Sequence, residues 1–349
     1  MTDRSFVTLQ DVARAADVSP ATASRVLNGT RPVRAELAER VQTAAGRLAY
    51  APNAHAQALA GTSSRNVGVI CHDVSDPYFA AIAGGVMRVA AHNGLLVMLA
   101  NTFRNAGQEI EYVSMLRAQR APAILLIGSG VEDRTRNRAL AAELAPYLRD
   151  GGRVAVISRH HGLRVDSVLP ENRAGAAALA GRLVAMGHRR FAVLTGPRAL
   201  TTVVDRLGGF RDGLAKAGVP LSGKDVTEGA FTRDGGYQAM AELIDRGLRA
   251  TCVFAVTDVM AIGACAALRD RGIAVPSDVS VAGFDDIPVV RDLTPPLTTV
   301  ALPLEQLGER AMQLALEDRP SGRTRVVRLA GEVVVRASTR RIPTRKESP

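Results

Sequence analysis

The stretch Asp17–Gly29 reads DVSPATASRVLNG. Ser19 is a good N-cap, and Pro20 falls at the first helical position, where a missing N–H costs nothing and the fixed φ suits a helix. The pattern predicts a helix from Pro20 to about Leu27, stopped by Asn28-Gly29. Val18, Ala23, Val26 and Leu27 can pack, which turns Pro20, Ala21, Thr22, Ser24 and Arg25 outward. Upstream, Leu9, Val12, Ala13 and Ala16 recur at helical spacing in TLQDVARAA, with Thr8 as N-cap. Downstream, Leu37, Val41, Ala45 and Leu48 give one apolar face to a helix over 34–48. Two short helices joined by a tight turn and braced by a third form a helix-turn-helix.

The outward residues suit a DNA groove. Small side chains at the helix start let it enter a major groove without a clash. The Thr22 and Ser24 hydroxyls can donate to phosphate oxygens, and Arg25 can read guanine O6 and N7 with two hydrogen bonds. Ala21 or Pro20 could touch a thymine methyl. On three helices alone, an ordinary helical hairpin with a solvated polar face stays open as the alternative.

The chain has 349 residues, 47% of them hydrophobic, enough for a large core and two or three domains. Its net charge of +10 is carried almost wholly by arginine, since lysine occurs only at Lys216, Lys224 and Lys346. A basic balance favours polyanion partners, although an Arg- and Ala-rich composition also follows from coding bias. Cys71, Cys252 and Cys265 lie in apolar runs and read as reduced, buried thiols. No signal-peptide pattern opens the chain, and no apolar run reaches about 18 residues, the length of a span. These features lead us to expect a soluble cytoplasmic protein without a membrane segment.

From Arg65 onward, short apolar runs alternate with helical patterns. VGVI (67–70) precedes a helix over about 78–92. LLVML is followed by a helix near 108–120, AILLI by one around 132–148, and RVAVI closes the set. A second round begins after Asp166, with a helix near 174–186 and FAVLT, TCVFAV and VSVAG as strands. This is the α/β alternation of parallel sheets covered on both faces, here in two lobes of similar size.

Taken together, TLQDVARAADVSPATASRVLNG, YAPNAHAQALAG (50–61), SDPYF, RLGGFRDGL, VPSDVSVAGFDDIP and TPPLTTV resemble the lactose-repressor and galactose-repressor family of bacterial transcription regulators. The resemblance runs in order through nearly the whole chain. It implies a helix-turn-helix domain over 1–52, a hinge helix and linker over 53–64, and a two-lobed core over 65–342 related to periplasmic sugar-binding proteins. The first lobe would comprise 65–165 and 297–323 and the second 166–296 and 324–342, with a disordered tail over 343–349. It further implies a homodimer on double-stranded operator DNA, controlled by a small-molecule effector and needing no cofactor. Asn53 can cap a helix of about eight residues, too short to be stable unsupported. In the family this helix pairs in the minor groove, where the residue matching Leu59 wedges between base pairs and Ala56 lies on the same face. The candidate DNA-contacting set is therefore Thr8, Ser19, Pro20, Ala21, Thr22, Ser24, Arg25 and Asn28, with Asn53, Ala56 and Leu59 in the hinge. Two departures stand out: Asp17 replaces the usual turn glycine, and Arg34 replaces a capping serine.

Ligands of such sheets bind beyond the carboxyl ends of the strands. HDVSDPYF offers Asp73, Ser75 and Asp76 to sugar hydroxyls, while Asp76-Pro77 can equally cap a helix. By resemblance, Tyr78 and Phe79 match cleft residues, Thr202 and Arg206 match hydroxyl- or carboxylate-binding positions, Phe231 a ring-stacking position, and Asp285 a carboxylate that anchors the effector. Asp258 lines the same wall or caps the following helix, the cap being the better reading. Ser158-Arg159 stands where the family often has an acid, which removes one carboxylate from the cleft and favours an anionic or phosphorylated effector. Two rival classes remain: a solute-binding protein without a DNA role, against which the N-terminal helices and the missing signal-peptide pattern argue, and an enzyme. Cys71-His72-Asp73 looks reactive, but successive residues at a strand end face opposite ways. Zinc-ligand spacing, GxGxxG and Walker motifs are all missing.

Overall fold

The computed structural model describes residues 7–28, 31–51, 64–318 and 323–343. It divides into two compact units between Ser64 and Arg65. The hinge residues Asn53, Ala56 and Leu59, and the expected tail from Thr344 onward, lie outside the described residues.

The first unit holds three helices: α1 (Leu9–Ala15), α2 (Pro20–Asn28) and α3 (Ala35–Arg47). Thr8 and Asp11 form a reciprocal capping box at α1: Asp11 N donates to Thr8 Oγ1 (3.3 Å) and Thr8 N to Asp11 Oδ2 (3.0 Å). Asp17 takes the left-handed conformation at φ 52°, as the turn requires. Arg40, on α3, reinforces that turn by donating to Ala16 O (2.6 Å) and Asp17 O (3.2 Å). Arg34 precedes α3 without a side-chain cap. Val12, Ala13, Ala16, Ala23, Val41 and Ala44 are the buried centre, with Val18, Val26 and Leu27 packed on it.

The second unit holds two parallel sheets. The first has the order β11-β5-β4-β3-β1-β2, made from β1 (Asn66–Cys71), β2 (Leu96–Asn101), β3 (Ala123–Ile127), β4 (Arg153–Ile157), β5 (Asp166–Pro170) and β11 (Val326–Leu329). Its central strands are buried on both faces, which is why they read as unbroken apolar runs. α4 (Pro77–His92) and α11 (Leu304–Leu316) cover one face, while α5 (Ala106–Ala118) and α6 (Arg134–Arg149) cover the other. α4 and α11 touch closely because Gly85 faces Glu305 and Gly308 faces Ile82; a Cβ on either glycine would run into the opposing backbone.

The second sheet has the order β7-β6-β8-β9, from β6 (Phe191–Thr195), β7 (Val226–Glu228), β8 (Cys252–Ala255) and β9 (Ser280–Ala282). α7 (Asn172–Ala185), α8 (Thr201–Lys216), α9 (Arg233–Asp245) and α10 (Asp258–Asp270) accompany it. β10 (Thr299–Ala301) pairs antiparallel with β12 (Glu332–Val334) beside it.

The lobe boundaries differ from those expected. β5, expected to open the second lobe, is the fifth strand of the first sheet and pairs in parallel with β4 and β11. Asp166 fixes this placement: its buried carboxylate accepts from Arg325 N (2.8 Å) and from Arg325 Nη2 (2.7 Å), at the entry to β11. β10, expected in the first lobe, sits with the second, where Asp285 N donates to Val300 O (2.9 Å). The chain therefore crosses between lobes after β5, after β10 and after β11.

Candidate nucleic-acid and effector sites

In the first unit, α2 carries the candidate DNA face. Thr22 N donates to Ser19 Oγ at 3.1 Å, so Ser19 caps the helix. Pro20, Ala21 and Arg25 are exposed, and Thr22 and Ser24 half-buried, around the inward Ala23. The two hydroxyls already have local partners: Thr22 Oγ1 is 2.9 Å from Ser19 Oγ, and Ser24 Oγ accepts from Asn28 Nδ2 at 3.1 Å. Ser24 only accepts in its bond and keeps its own proton for a phosphate, and Thr22 does the same when Ser19 donates between them. Thr8, also exposed, gives its hydroxyl proton to Asp11 (2.6 Å).

In the second unit, a cavity of about 20 Å³ lies between the lobes, lined by His72, Asp76, Tyr78, Phe79, Arg104, Gly128, Ser129, Thr202, Arg206, Phe231, Thr257 and Asp285. Its volume is room for about one water, so the two lobes are closed on each other. Of the expected effector residues, Tyr78, Phe79, Thr202, Arg206, Phe231 and Asp285 come together here.

Arg206 organises the second-lobe wall. Buried at 1% exposure, it donates Nε to Asn172 Oδ1 (2.9 Å), Nη1 to Val256 O (2.7 Å) and Nη2 to Asp285 Oδ1 (2.6 Å). Its guanidinium also lies 4.0 Å from the centre of the Phe284 ring. Burial pushes the Asp285 carboxyl above its usual range, against the pull of Arg206. Asp285 and Asp286 both have positive φ, 122° and 58°, and their carboxylates diverge. Asp286 pairs with Arg291 (2.9 Å) and Arg336 (2.7 Å) instead, so the adjacent acids do not converge for acid–base work.

On the first-lobe wall, Tyr78 and Phe79 open α4 in edge-to-face contact, centroids 5.1 Å apart. Asp76 caps that helix, its Oδ1 accepting from Tyr78 N at 2.9 Å, and it also lines the cavity. His72 places Nε2 3.3 Å from Ser129 O and Nδ1 3.2 Å from Thr102 Oγ1. A carbonyl only accepts, so this network assigns the proton to Nε2. Burial brings the His72 pKa down to about 4, which keeps the ring neutral. Burial likewise pushes the Cys71 thiol up to about 11, far from a nucleophilic thiolate. Asp73 accepts from Ser75 N (3.0 Å) and Ser75 Oγ (2.6 Å). The three consecutive residues thus face three different environments.

Five expected effector residues stand away from the cavity lining. Asp73 and Ser75 close a local turn on each other. Ser158 is buried beneath the site, 3.3 Å from Thr202 Oγ1. Arg159 pairs with Asp205 (3.1 Å) and Glu132 (3.5 Å), so the expected extra cation is neutralised at the rim between lobes. Asp258 neither caps α10 nor lines the wall. Thr257 is the cap (Met260 N to Thr257 Oγ1, 3.3 Å), while Asp258 accepts from Thr299 Oγ1 (2.7 Å) and Ile287 N (3.0 Å), tying β10 to the loop after β9. Burial pushes its carboxyl up to about 6. Sequence reasoning missed His72, Arg104, Gly128, Ser129 and Thr257 as lining residues. The rule that ligands gather beyond strand ends pointed to their loops, but not to which side chains turn inward.

A helix-turn-helix unit followed in the same chain by a two-lobed core closed around a cleft of mixed aromatic and charged side chains defines a ligand-responsive DNA-binding regulator. Residues 8–53 match the lacI family of bacterial regulatory proteins, and residues 180–339 match a periplasmic binding protein-like domain. The HTH-type transcriptional regulator GalR of Escherichia coli is 35% identical over 319 residues, covering 90% of this chain and 91% of that protein. The structure of a CelR–cellobiose complex shares 31% identity at a TM-score of 0.70, over 95% of this chain and 99% of that one. The lac repressor dimer bound to operator and the anti-inducer ONPF shares 26% at a TM-score of 0.83, over 96% and 100%. The chain belongs to the LacI family of DNA-binding transcriptional regulators. Its relatives are regulators rather than enzymes, and among the described residues no helix is long and apolar enough to cross a membrane.

Proposed function

We propose that this regulator represses transcription by binding a near-palindromic operator as a homodimer and that an effector in the interlobe cleft alters that binding. The observation that carries the reading is the exposed face of α2: Pro20, Ala21 and Arg25 lie bare on a capped helix whose opposite side is packed. In this account α2 enters the major groove, Arg25 reads a guanine, and Thr22 and Ser24 hold phosphates together with Thr8, Ser19 and Asn28. As the family resemblance implies, the hinge positions Asn53, Ala56 and Leu59, outside the described residues, would meet the minor groove at the operator centre. Dimeric binding is supported by the lac repressor relative, which is bound to operator as a dimer. Tyr78, Phe79, Thr202, Arg206, Phe231 and Asp285 contact the effector, and a hydroxylated effector is supported by the CelR relative, whose complex contains cellobiose. Ser158 supports Thr202 from beneath; Asp73, Ser75, Arg159 and Asp258 act outside the lining.

The test is selection of random duplexes by the full chain, followed by affinity measurement on the enriched site. The expected result is a two-fold symmetric site whose half-sites are about one helical turn apart. Enrichment of no sequence, or of one asymmetric half-site bound by a single chain, contradicts the reading.

A further inference from the structure

Arg104 differs from every other charged group lining the cleft. Arg206 is committed to three acceptors, Asp285 to Arg206, and Asp76 to the α4 cap, while both His72 nitrogens are engaged. The Arg104 Nε is buried with no hydrogen-bond partner among the described residues. Its guanidinium instead lies across the cleft, 5.3 Å from the centre of the Phe231 ring on the second lobe. The backbone that delivers it is unusual: Phe103 and Arg104 are consecutive non-glycine residues in the left-handed region, at φ 47° and 61°. Hydrogen bonds on both sides hold this pair in place. Thr102 N donates to Cys71 O (2.9 Å), Asn105 N to Thr102 O (2.8 Å), and Gly107 N to the Asn105 side chain that caps α5 (2.9 Å). The outcome of the strained turn is one guanidinium held inside the cleft.

Resting on the cleft as the effector site, we propose that the effector is a polyhydroxylated compound carrying a single carboxylate and that Arg104 receives that carboxylate. A guanidinium fork matches a carboxylate with two parallel hydrogen bonds, including one from an otherwise unsatisfied Nε. Burial already draws the Arg104 pKa down, against the pull of Asp76 and Asp73, and the charge of an arriving anion offsets that desolvation cost. The hydroxyls of the same molecule find acceptors in Asp76 and Asp285 and a hydroxyl partner in Thr202. A neutral sugar stacked on Phe231 would push Arg104 off that ring and leave its buried Nε without a hydrogen-bond partner among the described residues. A phosphate dianion would bring a second negative charge next to Asp76 and Asp285 with only one cation left to meet it. Arg159 cannot serve in its place, because Asp205 and Glu132 already hold it at the rim.

The experiment uses the full chain, with calorimetric titration and thermal shift against a matched series: glucose, galactose, gluconate, galactonate, glucuronate, galacturonate, glucosamine and glucose 6-phosphate. A sugar acid should bind at least about tenfold tighter than its neutral parent, and Arg104→Gln should erase that difference without lowering the ligand-free melting temperature. Tightest binding by a neutral, amino or phosphorylated member, binding by none, or a preference retained in Arg104→Gln overturns the proposal. Should a neutral sugar bind and Asp285→Asn abolish it, the cleft remains the effector site and only the charge assignment falls. Equal binding to the wild-type chain, Arg104→Gln and Asp285→Asn would remove the cleft reading as well.

Discussion

Replacing Arg206 with methionine should be the most destabilising single change in the cleft. Methionine keeps much of the stem but none of the three hydrogen bonds to Asn172, Val256 and Asp285, nor the cation over Phe284. It leaves the Asp285 carboxylate 2% exposed with no cation beside it. Breaking a buried pair in this way costs about 3–5 kcal/mol. The folded core has of order 5–15 kcal/mol to lose, so Arg206→Met should fold but shift its urea midpoint sharply. The informative comparison is a double-mutant cycle with Asp285→Asn. The amide that this second change introduces is neutral and needs no cation. The double variant should therefore lose less than the two single losses added together, by more than about 1 kcal/mol. Equilibrium urea denaturation followed by circular dichroism reads all four proteins. An Arg206→Met loss below about 0.5 kcal/mol, or a strictly additive cycle, would refute the view that this pair organises the second-lobe wall.

Three further expectations follow from other parts of the molecule. Arg25→Ala should weaken binding to the selected operator by about 1–3 kcal/mol and relax base preference at one position per half-site; fluorescence anisotropy on single-base variants checks it, and equal losses on every sequence would argue for a phosphate contact. His72, held neutral with its pKa lowered to about 4, contributes stability that is complete above its unfolded value of about 6.5 and is lost as pH falls towards 4. Melting temperature against pH should therefore fall less steeply over that window in His72→Gln, although burial also lowers the pKa of His160 and His188, which keep part of the slope; parallel curves would contradict the assignment. Gly308→Ala should destabilise the core by about 1–3 kcal/mol, as overpacking does, because the new methyl meets the backbone of Ile82; Gly181→Ala, on open space within α7, is the control.

What the sequence made legible was what neighbouring residues decide among themselves. Ser19 caps α2, Thr8 caps α1, and Asp17 accepts the left-handed turn in place of glycine, because each depends on groups within a few positions. The apolar runs of β1, β3 and β4 announced buried parallel strands for the same reason. Sheet membership was harder. DSVLP reads as a strand wherever it lies, and its place in the first sheet rests on pairing with β4 and β11 and on the distant Arg325 at the entry to β11. Charge in the cleft was misread in a similar way. Arg159 looked like a free cation in the sequence, yet Asp205, 46 residues away, neutralises it. Arg104 went unnoticed because no glycine or asparagine marks the left-handed turn at Phe103-Arg104 that sends it inward.

The central claim is that one chain couples a DNA-reading unit to an effector-binding cleft, and anisotropy with the selected operator tests it most directly. The affinity of the full chain for that duplex should change by about 5- to 150-fold when the cleft ligand is saturating, the usual span of such coupling, and Asp285→Asn should remove the response while leaving ligand-free DNA binding intact. Operator affinity that stays the same with and without a ligand shown to occupy the cleft would contradict the account.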